Sequence, residues 1–88
     1  MNIEVLKFNA TWCGPCKVLA TTLKDAAEIK RIDVEEDMET AIKYNIRNVP
    51  TLVFLRNGKE VHRVTGSISL QGYKNLVTEI NDAKELNN

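Results

Sequence analysis

The sequence predicts an α/β sandwich, in the order βαβαββα, with a mixed four-stranded sheet covered by helices on both faces. Three observations carry that expectation. A nearly continuous apolar run, Ile3 to Phe8, suits a central strand buried on two sides. Apolar residues then recur at helical spacing through Cys16, Leu19, Ala20, Leu23, Ala26 and Ala27. Finally, Asn57-Gly58 is a strong hairpin signal, because both central positions of a type I′ turn need positive φ.

The first strand is interrupted only by Glu4 and Lys7, and the first helix is expected from about Gly14 to Ala27. Ile29 to Val34 reads as a second strand whose apolar edge is Ile32 and Val34. A right-handed crossover joins these two strands in parallel. The acidic run Asp33-Val34-Glu35-Glu36-Asp37 reads as a helix start. Asp37 caps a helix over Met38 to about Tyr44, and acids near its first turn suit its dipole. Thr51 to Arg56 and Glu60 to Thr65 flank the hairpin turn and pair antiparallel. Ser69 caps a last helix carrying Leu70, Tyr73, Leu76, Val77 and Ile80. Gly72 costs that helix about 1 kcal/mol relative to Ala, and the pattern offers no reason for it. The terminal Leu86-Asn87-Asn88 is expected to fray.

A chain of 88 residues is expected to form one domain, spanning 1–88. Twelve basic and twelve acidic residues cancel, which leaves no electrostatic footprint for nucleic acid or an anionic membrane. No apolar run approaches the roughly 18 to 20 residues that span a bilayer. The start has an acid inside its apolar stretch and no basic leader or small-residue cleavage site, unlike a secretory signal. The expected address is the cytoplasm, where thiols are kept reduced. Two cysteines three residues apart in such a compartment need an explanation other than a structural staple.

Their spacing supplies one. With Cys13 at the N-cap of the first helix, Cys16 is the third helical residue, on the same face and within reach of disulfide closure. The bond closes a tiny ring and constrains almost nothing, so it forms and breaks cheaply. The Cys13 sulfur faces the unpaired N–H groups and positive end of the helix. Pro15 lies in the first turn, where its missing N–H costs nothing. A helix terminus plus one hydrogen bond supplies about 2 kcal/mol toward the thiolate, enough to activate Cys13. Cys16 lies deeper and stays a thiol until needed, so Cys13 attacks and Cys16 resolves the mixed disulfide. A zinc half-site would need two more ligands, and His62, a solvent-facing residue of the last strand, is the one candidate. No metal is expected, and no cofactor beyond the Cys13–Cys16 disulfide.

The string Trp12-Cys13-Gly14-Pro15-Cys16-Lys17 resembles the thioredoxin active site, CGPC motif included. Lys43-Tyr44-Asn45-Ile46-Arg47-Asn48-Val49-Pro50-Thr51 resembles the family segment ending in its cis-proline. Asn57-Gly58 and Gly66 match the family's hairpin and the glycine closing its last strand, so the likeness covers essentially the whole chain. It implies a thioredoxin-like fold with Pro50 cis and the backbone of Val49 open to an extended substrate strand. Trp12, Gly14, Pro15, Val49, Pro50 and Gly66 would rim a flat docking surface beside Cys13. It further implies a monomeric electron carrier that reduces disulfides of client proteins. A flavin- and NADPH-dependent thioredoxin reductase would recharge it.

The chain departs from the family in four respects. It begins at the central strand, its segment before Ile29 is short, and Thr21 stands where many members have proline. Lys7 stands where the family usually buries an aspartate, and Arg31 where that acid's lysine partner lies. Lys7 is therefore a candidate for tuning the thiol pKa: snorkelling to water, held neutral, or paired with a surface carboxylate. Two other readings stand beside the leading one. A glutaredoxin-like protein fed by glutathione fits the short length but not Gly14-Pro15. A non-catalytic clamp subunit would use the same docking face.

Overall fold

The computed structural model describes residues 3–86, and the side-chain surroundings of residues 3–82. The elements are β1 Ile3–Asn9, α1 Gly14–Thr22, β2 Ile29–Asp33, α2 Met38–Lys43, β3 Thr51–Arg56, β4 Lys59–Thr65 and α3 Leu70–Leu86. The sheet runs β2-β1-β3-β4, with β1 and β2 parallel and the other two pairs antiparallel. The expected βαβαββα order and mixed sheet are what the chain forms.

The two inner strands carry the longest apolar runs because helices cover both of their faces. Val5, Leu52 and Phe54 pack against Leu19 and Leu23 and against Tyr73 and Ile80 of α3. Leu6, Phe8, Val53 and Leu55 form the opposite face with Ile32 and Ala41 of α2. Strand alternation thus sends Val5, and with it Lys7, toward α1. Arg56 donates to the Ile80 carbonyl and Tyr73 donates to the Glu28 carboxylate, which fastens α3 to the sheet. Gly72 has its reason here. A Cβ at this position would lie 3.1 Å from both Ile68 Cγ1 and the capping Ser69 Oγ, which accepts from the Gly72 N–H.

The first helix is shorter than its apolar spacing suggests. It stops at Thr22, with Leu23 as C-cap, and successive turns carry the chain from Leu23 to Ile29. Leu23 and Ala26 still pack on the core while Ala27 is exposed, so the spacing reported burial as far as Ala26 and the helical backbone only as far as Thr22. Thr21 and Thr22 return their hydroxyls to the carbonyls of Lys17 and Val18, and the chain must turn to bring Ile29 beside Val5. Asp37 caps α2 as expected, accepting from the Thr40 N–H and hydroxyl. Asn57 and Gly58 both have positive φ, as the hairpin requires. Leu86 ends α3, and Asn87 and Asn88, where fraying is expected, lie outside the described residues.

At the end of α2 the chain makes a turn that sequence reasoning missed. Asn45 adopts φ 55°. Its N–H bonds to the Ile42 carbonyl, and the N–H of Ile46 bonds to the Ala41 carbonyl. This is a Schellman closure with asparagine in the left-handed position usually given to glycine. Arg63 braces it from β4 by donating to the Tyr44 carbonyl at 2.8 Å. Asn45→Gly should hold or raise stability, whereas Asn45→Ala should lower it by about 1 kcal/mol in urea unfolding. Equal stabilities for the two variants would refute the role given to the left-handed turn.

Candidate functional site

β1 ends against the first turn of α1, and the Cys13 N–H bonds back to the Ala10 carbonyl to make the bend. Cys13 is the N-cap, with extended φ −95° and ψ 110°, and its sulfur accepts from the Cys16 N–H at 3.1 Å. Pro15 falls in the first turn, and no acidic residue stands there to oppose a thiolate. The two cysteines are joined as a disulfide, Cα–Cα 5.3 Å. In this oxidised form both are buried, 5% and 3% exposed, among Ala10, Val34 and Val49. Exposure therefore does not separate the two sulfurs; the helix N–H does.

The expected rim residues fall into two groups. Trp12, Gly14 and Pro15 are exposed, and nothing lies within 4 Å of where a Cβ on Gly14 would be. The Val49 carbonyl oxygen lies 3.8 Å from the Cys13 sulfur, and the Val49–Pro50 peptide is cis. The Pro50 ring itself is fully buried, and Val49 before it is half-buried. Gly66, at φ 98°, donates to the Pro50 carbonyl at 2.8 Å and closes β4 against the same loop. A groove of about 310 Å³ runs beside the dithiol, lined by Trp12, Val34, Ile46, Arg47, Asn48 and Val49.

One residue at this groove escaped the sequence reading. The Trp12 indole N–H donates to a Glu35 carboxylate oxygen at 3.1 Å, while the ring stays 67% exposed. Glu35 is positioned in turn by Asp33, whose carboxylate accepts from the N–H groups of Glu35 and Glu36. The acidic run was read only as a helix start. The available signal was an Asp two residues before the second acid, the pattern of an Asx turn.

Behind the disulfide, Lys7 is 3% exposed and pairs with no carboxylate among the described residues. Its ammonium has no hydrogen-bond partner, yet no buried side-chain nitrogen is left unsatisfied, so the head group opens onto the solvent of a cleft. Burial, and then Arg31 beside it, holds the Lys7 pKa below the ordinary 10.5. Snorkelling and a lowered pKa thus occur together. The cleft is also walled by Cys16. His62 is exposed and edges onto Phe54. Among the described residues no three metal-capable side chains gather.

A family model described as thioredoxin matches residues 2–80. A thioredoxin of Staphylococcus aureus is 38% identical, over 74% of this chain and 69% of its own. Among solved structures, a mutant thioredoxin from Halobacterium salinarum superposes with a TM-score of 0.79 at 35% identity. That match covers 84% of this chain and 70% of that one. Schistosoma mansoni thioredoxin gives 0.79 at 36% identity, covering 88% and 75%.

The Glu35 contact can be read through Trp12, the only tryptophan in the chain. Glu35→Ala should lower its fluorescence anisotropy and increase acrylamide quenching, at a stability cost of no more than about 1 kcal/mol. Glu35→Gln keeps an acceptor and should stay near the parent. Unchanged anisotropy in the Ala variant would show that the indole is held by something else.

Proposed function

The chain belongs to the thioredoxin family, and we propose that residues 1–88 act as one monomeric domain that reduces client-protein disulfides in the cytoplasm. Thiol–disulfide exchange is the chemistry of the family, and the Cys13–Cys16 disulfide is the redox group. The family works without a cofactor of its own and draws on disulfide-bearing clients and a thioredoxin reductase. In our reading that reductase is the flavin enzyme that takes its electrons from NADPH.

The steps follow from the placement of the two sulfurs. In the reduced protein, the Cys13 thiolate attacks one sulfur of a client disulfide. A mixed disulfide forms, and the other client sulfur leaves as a thiolate that takes up a proton. Cys16 then loses its proton and attacks the Cys13 sulfur, releasing the second client thiolate and restoring the Cys13–Cys16 bond. Two electrons pass to the client in all. The observation that carries this assignment is the Cys16 N–H aimed at the Cys13 sulfur at 3.1 Å, which favours negative charge on Cys13. Trp12, Gly14 and Pro15 supply an open face for the client. The Val49 backbone supplies its hydrogen-bonding edge, held in place by the bond from the Gly66 N–H to the Pro50 carbonyl.

Iodoacetamide mapping of the reduced protein at neutral pH should label Cys13 first. Preferential labelling of Cys16 overturns the assignment. Cys16→Ser should hold clients as mixed disulfides and Cys13→Ser should not. Turnover of a protein disulfide with NADPH and thioredoxin reductase should vanish in both. A double Cys→Ser variant that kept full biological activity would instead favour a clamp role.

Lys7 we read as an electrostatic tuner of the dithiol, in company with Arg31, Lys17 and Lys24, the charged groups facing the same cleft. Its lowered pKa means that the folded state binds fewer protons than the unfolded chain between the two pKa values, so stability rises with pH across that window. Lys7→Met should therefore be more stable than the parent at pH 7, with the gap closing toward pH 10. The same variant should slow exchange at pH 7 but not at pH 9. Superimposable rate profiles would leave Lys7 with a structural role alone.

A further inference from the structure

The parallel pairing of β1 with β2 sets Lys7 directly opposite Arg31, so two cations stand side by side on the face toward α1. Two cavities open there, of about 180 and 320 Å³, and both are walled by Lys7, Ala20 and Arg31. Sharing these three residues, they lie side by side along a cleft between α1 and β2. Lys17 stands at the end near Cys16, and Lys24, in the turn after α1, stands at the other. None of the residues lining either cavity is acidic. The inner cation, Lys7, is all but enclosed and has no ion-pair partner among the described residues.

Four cations gathered without a counter-charge, one of them enclosed, make an arrangement that a ligand from solution would relieve. We propose that this cleft binds a small multivalent oxyanion of the phosphate class, with Lys7 and Arg31 as its inner donors and Lys24 and Lys17 at its two ends. The Arg31 guanidinium offers the planar pair of N–H donors that matches two oxygens of one phosphate, and Lys7 supplies a point charge to a third. A monovalent halide could not span both. Binding would favour the charged form of Lys7 and so draw its pKa back toward the ordinary lysine value. The site stands independently of whether Lys7 tunes the dithiol, since its readout is binding to the disulfide form.

Inorganic phosphate, pyrophosphate and ADP titrated into the oxidised protein at constant ionic strength, followed by backbone amide NMR, test the proposal. Saturable shifts centred on Lys7, Arg31 and the facing side of α1 are expected, with pyrophosphate binding more tightly than phosphate. Arg31→Gln should weaken binding about tenfold or more, the loss of a hydrogen bond to a charged group, and Arg31→Lys should fall between. Lys59→Gln, on β4 away from the cleft, should bind like the parent. ADP no tighter than pyrophosphate assigns the site to free phosphates, and ADP tighter assigns it to a phosphate carried on a nucleoside. Shifts that never saturate, or equal losses in Arg31→Gln and Lys59→Gln, overturn the site.

Discussion

A single backbone N–H, that of Cys16, points at the sulfur of Cys13, and the surrounding structure holds that contact in place. The first turn of any helix leaves N–H groups without intrahelical partners. This one spends its third on sulfur because Cys13 occupies the N-cap in extended geometry. β1 delivers Cys13 there and cannot shift, being buried on both faces between the two halves of the core. α1 cannot slide either, because Leu19 and Leu23 are seated with Val5, Phe54 and Tyr73. The opposing wall is fixed from another direction. The Asn45 turn aims residues 46 to 50 at the dithiol, and Arg63 ties that turn to the sheet. Three separate elements thus converge on one pair of sulfurs.

The parts of this arrangement that were legible in the sequence are those set by periodicity and by short-range chemistry. β1 and β3 could be read because burial on two faces leaves a nearly continuous apolar string, broken in β1 only by Glu4 and Lys7, and the hairpin because Asn-Gly meets a strict φ requirement. The cysteine placement could be read because spacing alone puts residues 13 and 16 on one face. The end of α1 could not. Leu23 and Ala26 continue the helical spacing while the backbone has already turned, since the register of β2 against β1 decides where the helix must stop. Glu35 was missed for a related reason. Its partner Trp12 is 23 residues away, and only the fold brings them together. The Val49–Pro50 bond is cis, as the resemblance implied, but the buried Pro50 ring could not be foreseen from a position expected at a rim.

The formal net charge of zero conceals a division across the disulfide. On one flank, acidic Glu35 holds the indole of Trp12 beside the groove that includes Arg47. On the other flank, Lys7, Arg31 and Lys17 approach Cys16 with no acid among the lining residues. The nearer a charge lies to a low-dielectric wall, the less it is screened, so buried Lys7 acts on the sulfurs more strongly than exposed Arg31 and Lys17 do. Charge balance over the whole chain is thus a poor guide to the field at its reactive end.

The sheet order has a further consequence. With β1 and β3 inside, the strands left with a free side are β2 and β4. An open strand edge is a template on which another extended chain can assemble, and oxidised or partly folded polypeptides are the sort of partner that would try. β2 carries exposed Lys30 and Arg31 on its two faces, and β4 carries Lys59, Glu60 and the irregularity in its pairing near Leu55. Two copies meeting along β2 would bring like charges together, and the distorted ladder of β4 offers a poor match for a straight strand. Sticky, misfolded polypeptides are thereby denied the two long seams of the molecule.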